Sequence, residues 1–102
     1  MAAWAAAYGR DPLLEAVRQV DERVSVTWRV ADGDRVEAGA VLGVVSGPLA
    51  PMLTAERTAL NLLCHLSGVA TLTRRFVDAA GPDLRVWDTR KTTPGLRALE
   101  KA

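Results

Sequence analysis

Residues 88–95 read DTRKTTPG. Arg90 and Lys91 stand side by side, flanked by Thr89, Thr92 and Thr93 and closed by Pro94-Gly95. Adjacent like charges in a tight connection repel unless water or an anion offsets them. A guanidinium grips a carboxylate or phosphate through two parallel N–H bonds, and an ammonium acts as a compact point charge. Together with hydroxyls, backbone N–H groups and the start of a following helix, they favour an anionic ligand, phosphorylated or polycarboxylic. The glycines of a Walker loop are missing. The plainer alternative is a pair of solvated surface charges. Arg57, in TAERTALN, is a second candidate cation. The pattern places it in the first turn of a helix, where the dipole mildly disfavours it and Glu56 compensates. For Arg57 a solvated surface position is the favoured reading.

Other chemistry-bearing residues say less. Cys64 and His65 are adjacent on a helical pattern and so do not face each other, which argues against a catalytic dyad. Cys64 reads as a small buried hydrophobe and His65 as a helix-surface or interface residue. Arg74-Arg75 reads as a solvated helix face. Asp88, at the end of a strand pattern, suits a supporting role toward Arg90 or Lys91 better than a catalytic one, since no partner acid lies nearby in sequence.

Helices and strands must position these side chains. Residues 1–10 give no preference between helix and strand. Asp11-Pro12 predicts a helix start, with an apolar stripe at Leu13, Leu14, Val17 and Val20 over roughly residues 12–21. Val24, Val26, Trp28 and Val30 alternate with polar residues, as in a half-buried strand. Asp32-Gly33-Asp34 and Glu37-Ala38-Gly39 are turn signals, and Val41–Val45 is a second strand stopped by Gly47-Pro48. Thr54 predicts a helix cap, Ser67-Gly68 a break, and residues 69–80 a second helix ended by Gly81-Pro82. Leu84–Trp87 reads as a short strand feeding DTRKTTPG, and Thr93-Pro94 opens a further helix. Ligands of parallel α/β folds sit at the C-terminal ends of strands, which is where this loop falls.

Bulk composition bounds the function. The chain has 102 residues, 49% hydrophobic and 25% charged, which is globular composition for one small domain. Its 13 basic and 12 acidic residues are interspersed, so a nucleic-acid partner has no electrostatic support. One cysteine excludes an internal disulfide and a cysteine-based zinc site, and a cytoplasmic setting is the default. No apolar run is long enough to span a membrane, and the alanine-rich start lacks the basic region of a signal peptide.

DGDRVEAGAVLGVVSG, residues 32–47, resembles half of a biotinyl or lipoyl carrier domain, but no lysine lies there to carry the group. A closer resemblance is carried by three blocks in order: ERTALN, LSG-A-T and DTRKTTPG. Over roughly residues 11–102 the chain resembles the quinolinate phosphoribosyltransferases. The resemblance implies an α+β N-terminal sandwich portion (residues 1–50), followed by the start of an incomplete α/β barrel (residues 51–102). It implies transfer of phosphoribose from phosphoribosyl pyrophosphate to quinolinate with Mg²⁺, giving nicotinate mononucleotide, pyrophosphate and CO2. It assigns Arg90 to quinolinate and Lys91 to phosphoribosyl pyrophosphate, with Thr89 assisting. Arg57 would reach quinolinate in a neighbouring subunit of a homodimer or higher assembly.

The family's further basic ligands and its acidic residues near Mg²⁺ have no counterpart in these 102 residues. The end, Glu100-Lys101-Ala102, has neither glycine cap nor proline stop, so the expectation is an internal piece of the enzyme without turnover of its own. Alternatives are the related family associated with molybdenum transport, a non-catalytic anion-binding or assembly module, and an inert remnant.

Overall fold

A computed structural model describes residues 4–102. In chain order the elements are β1 (Trp4–Ala6), α1 (Arg10–Val20), β2 (Ser25–Trp28), β3 (Arg35–Glu37), β4 (Gly43–Ser46), α2 (Leu49–Ala80) and α3 (Arg97–Glu100). Two antiparallel two-stranded sheets form, β1 with β3 and β2 with β4. In the second, Val26 faces Val45 and Thr27 faces Val44. β2 and β4 realise the two expected strands in shortened form, with Val30 past the end of β2 and Val41 and Leu42 before the start of β4. β3 lies between the two turn signals and is too short for any periodic pattern to announce it.

The 32-residue α2 dominates the molecule. It is one helix where the sequence predicted two. Gly68 continues it, with open space where a Cβ would stand. A single helical glycine costs about 1 kcal/mol, which burial of Ala55, Ala59, Leu63 and Leu66 along the same helix outweighs. α2 also begins earlier than expected, directly after Pro48. Thr54 is therefore not a cap; its hydroxyl donates back to the Ala50 carbonyl at 3.0 Å. Arg57 consequently lies beyond the reach of the N-terminal dipole, which fades within the first turn.

α1 starts at Arg10 after Gly9, whose φ is 111°. A Cβ on Gly9 would sit 3.3 Å from Leu66 Cδ1 and 3.4 Å from Leu63 Cα, so glycine answers both the conformation and the close approach of α1 to α2. Asp11 is inside the helix rather than its cap. The capping carboxylate comes from the Asp32 turn: Asp32 Oδ1 accepts the Gly9 and Arg10 N–H groups at 3.1 and 3.2 Å. Leu13 and Val17 of α1 pack with Val24 and with Ala55, Ala59 and Leu63 of α2, and Val26, Trp28 and Leu42 close one side.

β1 is held from two sides. The Ala7 N–H donates to the Asp34 carbonyl at 2.9 Å, toward β3. The alternate N–H groups face α2, where Ala6 donates to Thr71 Oγ1 at 2.8 Å and Tyr8 to Ser67 Oγ at 3.0 Å. Ser67 Oγ also donates to the Tyr8 carbonyl at 3.0 Å. Four helical residues rise about 6 Å and two strand residues about 6.6 Å, so hydroxyls at i and i+4 match alternate strand amides.

After Gly81 the backbone stays irregular until α3. The expected strand at Leu84–Trp87 does not form. Among the described residues no strand pairs with it, and without a ladder its backbone groups turn to water. Leu84 and Trp87 are 68% and 75% exposed. Residues 93–96 make a turn, with the Leu96 N–H donating to the Thr93 carbonyl at 3.0 Å. The expected helix from Thr93-Pro94 shrinks to the single turn Arg97–Glu100. The molecule is thus a small mixed α/β structure in which the expected first barrel strand is not formed. Among the described residues no helix is long and apolar enough to cross a membrane.

Candidate functional site

The DTRKTTPG loop runs along the C-terminal half of α2 and folds back on itself. The Lys91 N–H donates to Thr89 Oγ1 at 3.1 Å, and the Thr92 N–H to the Arg90 carbonyl at 3.0 Å. The two ends of the loop are tied by consecutive residues of the last turn. Lys101 Nζ lies 3.1 Å from Asp88 Oδ2. Glu100 Oε1 accepts the Thr93 N–H at 2.9 Å. Asp88 therefore supports the loop through Lys101, not by orienting Arg90 or Lys91 as its sequence position suggested.

Thr89, Lys91 and Thr92 line an open groove of about 780 Å³ whose apolar wall includes Leu72 and Phe76 of α2 and Val86 and Trp87. Arg90 is outside that lining, so of the two adjacent cations Lys91 alone borders the groove. Arg57 is exposed on α2 and is also outside the groove. The structure brings Thr89, Arg90 and Lys91 together in one loop and leaves Arg57 apart. Among the described residues neither Arg90 nor Lys91 takes part in a salt bridge.

Cys64 is exposed, contrary to the expected burial. It follows Leu63, and one residue turns a helix by about 100°, which carries Cys64 off the face that holds Ala59, Leu63 and Leu66. His65 is on the helix surface as expected, but it is not idle: its Nε2 lies 2.7 Å from Glu100 Oε2. That hydrogen bond, seconded by the Thr93 N–H, holds the Glu100 carboxyl down at about 2. No sequence signal links residues 65 and 100, because 35 positions separate them and the lone histidine has no motif around it.

A divalent cation finds little here. Among the described residues no three His, Cys, Asp or Glu side chains cluster. The acids nearest the loop, Asp88 and Glu100, are already engaged by Lys101 and His65. Among the described residues, then, none of these side chains fits a Mg²⁺ site.

Comparison with known proteins agrees with the motif blocks. Residues 12–67 match the quinolinate phosphoribosyl transferase N-terminal domain, and residues 69–102 match the C-terminal domain of the same family. A nicotinate-nucleotide pyrophosphorylase [carboxylating] of Mycobacterium leprae is 53% identical over 77 residues, covering 74% of this chain and 27% of that protein. The Bacillus subtilis relative, a probable enzyme of the same name, is 44% identical over 88 residues, covering 85% of this chain and 30% of its own. The structure of the Francisella tularensis nicotinate-nucleotide pyrophosphorylase superimposes with a TM-score of 0.91 at 36% identity, over 96% of this chain and 35% of that one. The chain thus spans roughly a quarter to a third of the length of these relatives. With both domain matches in chain order over most of its residues, the chain belongs to the quinolinate phosphoribosyltransferase family.

Proposed function

We propose that this chain supplies part of a site that transfers phosphoribose from phosphoribosyl pyrophosphate to quinolinate, with loss of CO2, in NAD biosynthesis. The observation that carries the reading is Lys91, lining the groove beside Thr89 in a loop tied at both ends. In this reading the quinolinate ring nitrogen forms a bond to the sugar carbon as the bond to pyrophosphate breaks. Negative charge grows on the departing pyrophosphate, where the Lys91 ammonium stabilises it. Loss of CO2 from the ring then leaves an electron pair that takes up a proton, giving nicotinate mononucleotide. Arg90, in the same loop, grips a quinolinate carboxylate through its fork. Arg57 does the same for quinolinate held by a neighbouring subunit of a homodimer or higher assembly; its exposure on α2 away from the groove supports that role. Mg²⁺ belongs to the proposed reaction with no ligand from this chain.

The proposal also takes residues 1–50 as part of an N-terminal sandwich domain and 51–102 as the beginning of a barrel. It places the reaction in the cytoplasm, in keeping with the free, exposed Cys64. The 102-residue chain alone is expected to give no turnover. The test grafts residues 1–102 in place of the matching part of the Francisella tularensis protein. Nicotinate mononucleotide formation by the chimera is expected, with Lys91→Ala lowering kcat/KM by about 100-fold. A chimera indifferent to Lys91→Ala would reject the assignment. Pyrophosphate release by the 102-residue chain alone would reject its predicted inactivity.

A further inference from the structure

The loop that holds Arg90 and Lys91 has neither helix nor strand to fix it. From Gly81 to Leu96 the backbone makes no regular structure. Two neighbouring cations inside such a segment push it toward open conformations. Its restraint comes from the last turn of the chain. Lys101 holds the first residue of the loop, Asp88, and Glu100 holds its last threonine, Thr93. A one-turn helix is itself a poor anchor, since an isolated turn lacks cooperative support. Glu100 is fastened in turn to α2, the most extended rigid element, through His65 Nε2 at 2.7 Å. The Glu100 side chain is 10% exposed and that of His65 40%, so the carboxylate sits between the imidazole and the Thr93 backbone with little access to water.

We infer that His65 and Glu100 are positioning residues: they form a latch that passes the fixed geometry of α2 through one carboxylate to the Thr93 backbone and sets the 89–93 loop for its anionic ligand. The inference rests on the proposed role of that loop for its last clause only. Both oxygens of Glu100 are used, one toward each partner. Loss of either partner therefore frees the carboxylate to swing, and with it the end of the loop. His65 needs no contact with ligand to matter. Its donor atom must lie at the right height on α2, and a glutamine there presents an N–H of comparable reach.

The test uses the isotope-labelled 102-residue chain and inorganic pyrophosphate as probe. His65→Ala is expected to speed hydrogen exchange of the Thr93 amide several-fold. It should also shift the Thr89–Thr92 amide resonances and weaken pyrophosphate binding, with the urea midpoint lowered no further than by Glu100→Gln. His65→Gln is expected to restore all three signals, which a purely structural gap would not allow. Unchanged Thr93 exchange in His65→Ala overturns the latch, as does a His65→Gln variant that behaves like His65→Ala. If the wild-type chain ignores pyrophosphate while His65→Ala still loosens Thr93, the latch is supported and the proposed function of the loop is what fails.

Discussion

Replacing Thr71 by valine removes one oxygen and adds one methyl, leaving shape and volume nearly unchanged. The oxygen accepts the Ala6 N–H at 2.8 Å, and Ala6 is 3% exposed. Water has little room to replace it, so the substitution strands a buried donor, at about 1–3 kcal/mol. Ser67→Ala removes two bonds, donor and acceptor, to the Tyr8 backbone. Tyr8 is only half-buried, so water offsets part of that loss and about 0.5–1.5 kcal/mol remains. The two hydroxyls are not independent, because Thr71 Oγ1 also donates to the Ser67 carbonyl at 2.7 Å. The double variant is therefore expected to depart from the sum of the singles. A small domain has about 5–15 kcal/mol in all, so about 2–4 kcal/mol for the pair is a large share. Urea unfolding followed by circular dichroism reads it out. Thr71→Val should lower the midpoint at unchanged slope, and Thr71→Ser, which keeps the hydroxyl, should recover most of the difference. A Thr71→Val chain as stable as wild type would refute the reasoning, since it would mean that the strand amide finds water or another acceptor.

Three further outcomes follow from the same geometry. Leu66, 1% exposed at the junction of α1 and α2, should cost about 2–5 kcal/mol when cut to alanine, checked by the same urea titration. Gly68→Ala should stabilise by about 0.5–1 kcal/mol, since the Cβ enters open space within a helix; a lower midpoint would show that this face is covered by another surface in solution. Glu100 is held at about 2 against an ordinary 4.5, so its contribution is fully present above about pH 4.5 and is lost as pH falls through about 2. Urea midpoints of wild type and Glu100→Gln should therefore differ at neutral pH and converge across that window; a constant difference down to pH 2 would contradict the assignment.

The parts of the fold legible in the sequence were those that local rules govern. The alternation from Val24 to Val30 became β2 only as far as Trp28. Of the stripe Leu13, Leu14, Val17 and Val20, the residues Leu13 and Val17 became the buried face of α1, while Val20 stays exposed at its end. The starts and stops of helices failed wherever the deciding group came from elsewhere in the chain. Asp11 looked like a cap, yet the capping oxygen belongs to Asp32, more than 20 residues on. Ser67-Gly68 looked like a break because serine and glycine are poor helix formers. In the structure Ser67 is instead the fixing point for the backbone of Tyr8. Leu84–Trp87 had the composition of a strand, but composition cannot supply the neighbour that a strand needs. The candidate site divided in the same way. The cations of DTRKTTPG announced themselves, whereas His65 and Glu100 acquire meaning only once α2 and the last turn are placed side by side.

The charges around the loop bear on why Arg90 and Lys91 can stand together. A loop that merely had to balance two cations would turn its own acids toward them, and Asp88 lies two residues away. Instead Asp88 is taken by Lys101 and Glu100 by His65 and the Thr93 N–H. Both acids restrain the backbone of the loop without neutralising its cations. Among the described residues Arg90 and Lys91 are left outside every salt bridge, and only Lys91 faces the groove. An anion entering that groove need not displace an internal carboxylate before it pairs with Lys91, which is a condition for strong charge-assisted binding. The same acids would compete with the ligand if either switched partner. Freeing Asp88 by Lys101→Ala is therefore expected to weaken pyrophosphate binding, and neutralising the freed carboxylate by adding Asp88→Asn is expected to recover most of it, a recovery that loss of the Lys101 charge alone would not allow. No recovery in the double variant, or tighter or unchanged binding by Lys101→Ala itself, measured by calorimetry, would show that the loop is not kept open to anions by the pairing of its acids.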